Sequence, residues 1–301
     1  MKIAVGVVTY RRPELLADLI TALAPQLAET GAELVVVDND PERSAESVVA
    51  DAAAAHQVAI RYAPEPEPGI PFARNRVLRM TEDADVVVFT DDDVRPGPTW
   101  LRALLERHRT SGADVVTGPV RFVFTGGPPR WAAGAHCFRD RTPAAGDPSG
   151  WPATNNVLLR RSTLVEHSIW FDEGYGLAGG SDTQLFRRIA AVGGSFAWAE
   201  DATVAELVPP ARSTVRWALR RSYRTGNTAA RCDRETTGSR SVLVTSSRAA
   251  GRWVWWGLKA GIAAGARRDP AGAVRSMSSF ARAAGLLSGA LGRRYQEYTR
   301  A

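Results

Sequence analysis

The 301-residue sequence is poor in cysteine, with only Cys137 and Cys232. They lie far apart and in no metal-like spacing, so two reduced thiols in a cytoplasmic setting are expected. No run of about 18 uncharged apolar residues occurs, so no transmembrane helix is expected. The opening stretch MKIAVGVVTYRRPELL begins a strand at once. It lacks the long apolar run and small-residue cleavage site of a signal peptide. There is no long disordered composition and no evident repeat. No glycine-rich phosphate loop follows the first strand, which runs into Thr9-Tyr10-Arg11-Arg12-Pro13. A nucleotidyltransferase would want such a loop. No recognition motif for nucleic acid accompanies the basic residues, so nucleic acid is not an expected partner.

What is present suffices for a large core, since 45% of the residues are apolar. The length suits one large domain, or one domain with an appendage. The net charge of +6 conceals an asymmetry. From Glu206 onward, 18 Lys and Arg face 5 Asp and Glu, whereas the preceding residues hold 20 against 27. A mildly acidic body therefore carries a basic tail suited to an anionic partner, such as a phosphate group or an anionic membrane surface.

Over the first 120 residues, apolar runs alternate with segments of helical spacing. Strands are expected at 2–10, 32–40, 57–65, 85–93 and 113–123, and helices at 12–31, 42–55, 70–81 and 98–110. Residues 124–153 read as a long loop region or short irregular elements, 154–164 as a strand, 180–194 as a helix and 195–209 as a strand pair or strand edge. The strands are continuous Val/Ile runs, which points to an α/β fold with a mainly parallel sheet flanked by helices. Such sheets bind ligands beyond the C-terminal ends of their strands. From about Pro210 the chain reads as basic helix. Residues 1–209 are thus expected to form the α/β body, and 210–301 a helical basic extension.

Three carboxylates, Asp91, Asp92 and Asp93, close the stretch DVVVFTDDD. Adjacent carboxylates repel, and a hard cation such as Mg²⁺ or Mn²⁺ would relieve that repulsion while bridging phosphates. Tyr10 offers a ring for stacking a planar base, and Asp38 a carboxylate for its N–H. Arg74 and Asn75, in GIPFARNRV, suit phosphate or base contacts. Together these residues describe a nucleotide cleft with a metal.

The ordered set VVTYRRPELLADLITAL, ELVVVDND, GIPFARNRV, FTDDDVRP and GGSDTQLFRRIAAVGG resembles the family-2 inverting glycosyltransferases of the GT-A fold. The resemblance covers about residues 2–225. It implies a Rossmann-like GT-A domain and a nucleotide-sugar donor, with UDP the commonest carrier. Acceptors in the family would be saccharides, lipid-linked saccharides or natural-product scaffolds. Tyr10 and Asp38 would contact the base, with Thr9 and Arg12 beside them on the donor side. Arg74 and Asn75 would approach the base or diphosphate. Asp91 would face the ribose and sugar, and Asp93 would hold the Mn²⁺ or Mg²⁺. Asp92 takes the variable position of the DXD-type motif; it is counted among the donor-side residues, with pointing to solvent as the alternative.

Asp182 is implied as the general base. The family commonly has Glu-Asp there; this chain has Ser181-Asp182. Glu206 stands where several relatives carry His and is expected as a further metal ligand. Trp151, Asn155 and Asn156 fall in the acceptor-side region. In the tail, RWVWWGLKAGIAAGARR (252–268) is a tryptophan-rich basic helix suited to a membrane interface, or to packing on the catalytic domain or another subunit. A cytoplasmic protein, peripheral on the inner face of the plasma membrane, is expected. The alternatives are a catalytically silent sugar- or lipid-binding module and a nucleotidyltransferase.

Overall fold

The computed structural model describes residues 1–139, 152–176, 178–237 and 239–296. Strand β1 (Ile3–Thr9) shows why the valine-rich runs do not alternate. Val5 and Val7 enter one apolar cluster and Ala4 another, all with no exposed surface. β2 (Glu33–Asp38), β4 (Val86–Asp91) and β8 (Asn156–Arg160) divide their side chains between the same two clusters. A strand covered on both faces has no polar side to show.

Helices supply both covers. On one face, α1 (Pro13–Thr30) contributes Leu16, Leu19, Ile20, Leu23 and Leu27, joined by Val49 of α2 (Glu46–His56). α4 (Trp100–Ser111) adds Trp100, Leu101 and Leu104. On the other, α3 (Ile70–Met80) contributes Ala73, Val77 and Leu78, and α5 (Arg161–Glu166) contributes Leu164. α6 (Ser181–Ala191) adds Leu185, Phe186 and Ile189. Each such fully buried Leu or Ile is worth about 1.5–3 kcal/mol relative to exposure. Pro13 opens α1 with a preset φ, and Gly31 closes it in the left-handed conformation.

The main sheet has seven strands in the order β3-β2-β1-β4-β8-β6-β9, with β3 at Ile60–Pro64, β6 at Val115–Thr117 and β9 at Phe196–Trp198. β3, β2, β1 and β4 are parallel neighbours, and β6 is parallel to β9. β8 is antiparallel to both β4 and β6. A second sheet has the order β5-β10-β7, with β5 at Val94–Pro96, β10 at Val204–Val208 and β7 at Val120–Phe124.

Three expectations change. The strand expected at 113–123 is two strands in different sheets, separated by Gly118-Pro119, where proline has no N–H for a ladder. The strand expected at 154–164 stops at Arg160 and becomes α5. Its partner β4 begins at Val86, opposite Arg160, so a longer β8 would have nothing to pair with on that side. The strand expected at 85–93 ends at Asp91, and the chain turns through Asp92 and Asp93 into β5.

The chain divides into two units. The first comprises Met1–Arg121, Arg141–Leu177 and Ser181–Glu206; the second comprises Phe122–Asp140, Ala178–Gly180 and Leu207–Ala301. Beside the expected division at 209/210, this one falls at Glu206/Leu207 and groups Phe122–Asp140 with the second unit. That unit contains α7 (Val215–Thr237), α8 (Ser239–Arg267) and α9 (Pro270–Ala290). α9 packs against both other helices through small residues, among them Ala230, Ala250, Ala283 and Ala290. Asp269 caps α9, accepting from the Ala271 and Gly272 N–H groups at 2.9 and 3.0 Å.

Candidate active site

The parallel register puts the polar strand ends together. Thr9 lies opposite Asp38 in the β1–β2 ladder, and Val8 opposite Asp91 in the β1–β4 ladder. The segments Thr9-Tyr10, Asp38–Asp40 and Asp91–Asp93 therefore share one edge of the sheet.

Arg12 organises the acid cluster. Its Nη1 donates to Asp92 Oδ1 at 3.0 Å and to Asp93 Oδ2 at 3.1 Å. Thr9 Oγ1 donates to Asp92 Oδ2 at 2.9 Å. Asp92 does not point to solvent, being only 4% exposed. The turn into β5 directs it inward, where it ties β1 to the start of α1. Burial pushes its carboxyl up to about 6, although the attraction of Arg12 works against the rise.

A carboxyl raised this far destabilises the fold as it ionises. Asp92 alone should therefore make stability fall as pH rises from about 4, its unfolded pKa, to about 6. In Asp92→Asn this component should vanish. Urea midpoints across that range, measured without divalent ions, should slope less in the variant; equal slopes would contradict the burial.

Asp91 behaves differently. Burial raises its carboxyl, Arg74 offsets part of the rise, and the negative charges of Asp93 and Asp182 add to it. Its side chain still keeps 38% of its surface accessible. Arg74 Nη2 donates to Asp91 Oδ1 at 3.4 Å, and its guanidinium lies 5.5 Å from the Phe171 ring centroid. Asp182 occupies the first turn of α6 and accepts from the Thr183 N–H through Oδ1 at 2.8 Å. Gly179 and Gly180, at φ +73° and +96°, lead the chain into that helix. Such angles are adopted readily by glycine alone.

Asp38 is fully buried. Its Oδ1 accepts from the Asp40 N–H at 2.9 Å, and its Oδ2 from the Ala45 N–H at 2.9 Å and Tyr62 Oη at 3.2 Å. The carboxylate expected to meet a base faces its own loop. Asp40 is 1% exposed and accepts from Arg11 Nε at 3.2 Å. Burial would raise its carboxyl, but the Glu42 N–H and Arg11 help to hold it below the usual range. Arg11 adopts φ +53° and lies 5.3 Å from the Tyr10 ring centroid. The unusual angle at a non-glycine residue marks a constrained loop beside Tyr10. Arg11 and Asp40 were not singled out as site residues, and only their position beside Tyr10 and Asp38 hinted at them.

Two amides expected at ligands are engaged internally. Asn75 donates to the Phe171 carbonyl at 2.9 Å and Glu173 Oε1 at 3.1 Å, and accepts from the Phe171 N–H at 3.0 Å. It fastens α3 to the segment at 171–173 rather than facing a donor. Asn156 accepts from Trp100 Nε1 at 2.8 Å and donates to the carbonyls of Pro119 and Ala202 at 3.1 and 2.8 Å. With no exposed surface it is a core tie, not an acceptor contact. Trp151 lies outside the described residues.

Asn155 is placed differently. Thr90 faces Asn156 at the end of the β4–β8 ladder, so Asn155 and Asp91 are the next residues outward. Asn155 Nδ2 donates to Glu206 Oε2 at 2.9 Å, and Glu206 lies opposite Val94, the residue after Asp93. Asn155 Oδ1 is buried and has no hydrogen-bond partner among the described residues.

Among the described residues, no group of three or more His, Cys, Asp and Glu side chains could hold a metal by itself. The acid cluster nevertheless suits a cation shared with a phosphate ligand. Mg²⁺-type sites use one or two carboxylates and complete the shell with phosphate and water. The mutual repulsion of Asp91 and Asp93 is what such a cation relieves.

A mainly parallel α/β sheet, with acids gathered at the C-terminal ends of its strands, is the class this geometry defines. Residues 4–167 match the family model for glycosyl transferase family 2, and the chain belongs to that family. It is therefore a glycosyltransferase, which sets aside the nucleotidyltransferase alternative. It is 36% identical over 236 residues to the succinoglycan biosynthesis protein ExoM of Rhizobium meliloti (strain 1021), covering 77% of this chain and 75% of that one. A mannosyltransferase from Pyrobaculum calidifontis, solved with GDP-Man and Mn²⁺, superposes with a TM-score of 0.64 at 19% identity. That match covers 96% of this chain and 86% of the other. GalNAc-T7, solved with UDP, GalNAc and Mn²⁺, gives a TM-score of 0.55 at 13% identity, over 76% of this chain and 51% of the other. The fold is that of the GT-A glycosyltransferases.

Proposed function

We propose that the enzyme moves a sugar from a nucleotide-sugar donor, with UDP as carrier, to an acceptor hydroxyl with inversion at the anomeric carbon. One observation carries this reading. Carboxylates from two separate elements, Asp91 at the end of β4 and Asp182 at the start of α6, lie close enough for the charge of one to raise the other. An in-line displacement needs a base at the attacking hydroxyl, set close to the acids that hold the donor and its charge-neutralising ion.

The nucleobase stacks on Tyr10, while Asp38 holds the loop behind it. Arg74, with Arg12 bracing the cluster, offsets negative charge on the donor side. Asp93, with Glu206 beside it across the β5–β10 register, would hold a Mn²⁺ or Mg²⁺ ion on the diphosphate side of the donor. When bound, that ion supplies charge neutralisation at the departing diphosphate. Asp91 faces the ribose and sugar. Asn155 Oδ1, buried and without a hydrogen-bond partner among the described residues, accepts from a sugar hydroxyl. Asp182 takes the proton from the acceptor hydroxyl as its oxygen attacks. The bond between anomeric carbon and diphosphate oxygen breaks, and its electron pair leaves with the nucleotide.

ExoM is named for succinoglycan biosynthesis, which supports a saccharide acceptor in polysaccharide assembly. A lipid-linked acceptor fits the basic extension. The test is a thermal-shift screen of nucleotide sugars with Mn²⁺, followed by a product assay that reads the anomeric configuration. Stabilisation by a UDP-sugar together with an inverted product is expected. Binding without turnover would instead support the silent module. Chelation by EDTA should reduce transfer at least about 10²-fold, with Mn²⁺ or Mg²⁺ restoring it. Indifference to the chelator would remove the metal from the scheme.

A further inference from the structure

α8 carries an apolar stripe that no described residue covers. Val244, Trp255, Leu258 and Ile262 are 52%, 57%, 50% and 75% exposed. At 100° per residue they share one side of the helix, away from the buried Gly257 and Ala264. Arg248, Arg252 and Lys259 follow along one edge of this stripe. Lys259 Nζ sits 4.9 Å from the Trp255 ring centroid and 5.6 Å from that of Trp256. The ammonium is thereby held above two indole rings.

The charge around the stripe is of one sign. α8 contains no acidic residue, and residues 239–296 hold ten Arg and Lys against a single acid, Asp269. Asp269 is already engaged as the cap of α9. Among the described residues, no helix is long and apolar enough to cross a membrane. α8 is thus suited to lie on a bilayer rather than to span it.

A second copy of the chain is a poorer occupant. A two-fold contact through this face would set Arg248, Arg252 and Lys259 against the same cations of the partner. Lysine is also depleted at protein–protein interfaces. Tryptophans flanked by cations and aliphatic side chains match the headgroup region, where one end of each group is wet and the other apolar.

We propose that α8 is an interfacial helix that docks the enzyme on an anionic lipid bilayer. Val244, Trp255, Leu258 and Ile262 enter the acyl boundary, and Arg248, Arg252 and Lys259 meet lipid phosphates. The surface holds the enzyme where lipid-borne acceptors are concentrated. The docking itself does not rest on the donor or on the reaction described above.

Vesicle co-sedimentation of the full chain tests this. Binding is expected to phosphatidylcholine vesicles containing about one-third phosphatidylglycerol, falling steeply with salt, and not to phosphatidylcholine alone. The W255S/L258S/I262S variant should bind at least about tenfold more weakly, because the inserted apolar area is lost. R248Q/R252Q/K259Q changes exposed positions only and keeps the fold if the apolar variant does not; it should lose the preference for anionic vesicles. Failure of the wild type to bind anionic vesicles would overturn the proposal, as would wild-type binding by both variants. Dissociation of an oligomer by the apolar variant, with no vesicle binding by the wild type, would assign the face to a second copy.

Discussion

Asp182→Asn is expected to lower the rate of sugar transfer by about 10³-fold while donor affinity stays within about a factor of two. The substitution is nearly isosteric. Its amide oxygen can still accept from the Thr183 N–H, as Asp182 Oδ1 does at 2.8 Å, so the start of α6 should hold. What disappears is the basicity and the charge. Losing the charge removes one of the repulsions on Asp91 and so should not weaken the donor side. The effect belongs to the rate at saturating donor, read beside titration calorimetry of the nucleotide. Turnover close to wild type would remove Asp182 as the base. A parallel collapse of donor affinity would make it a binding residue instead.

Arg12→Met should cost the fold about 2–3 kcal/mol. One guanidinium nitrogen serves both Asp92 and Asp93, whose side chains are only 6% and 14% exposed. Breaking a fully buried pair by removing one partner costs about 3–5 kcal/mol, because a charge is left uncompensated. The Arg12 side chain is 39% exposed, so water screens part of the interaction and places the expectation below that range. Urea unfolding near pH 7 measures it. Adding Asp92→Asn to the same chain should recover part of the loss, because the stranded charge is then gone. A loss under about 0.5 kcal/mol would mean that the pair is solvated and that Arg12 does not brace the cluster.

These predictions differ in how far they could be reached from sequence. Asp182 was legible as a helix-start acid, because Gly-Gly-Ser-Asp before an apolar periodic run marks such a start; its role as base is implied by the family resemblance. The bracing by Arg12 was only half legible. TYRRP placed two cations at the sheet edge, but not the inward turn of Asp92 that engages one of them. Asp38 was legible as a strand-end acid. Its closure by Asp40, Ala45 and Tyr62 depends on how the loop after β2 folds back.

By itself, the sequence determined the layered sheet, the order of its helices and the family. Those follow from local periodicity and from motifs whose spacing survives in one dimension. Apolar runs that must be covered on both faces leave few other architectures. Only the tertiary structure decided which polar side chains are spent on holding the fold. Asn75 meets Phe171 across 96 positions and Asn156 meets Trp100 across 56, while Asn155, one residue away, keeps a buried oxygen without a partner among the described residues. A buried amide binds whichever backbone the fold brings to it, and that distant partner leaves no mark on the residues beside it in the chain.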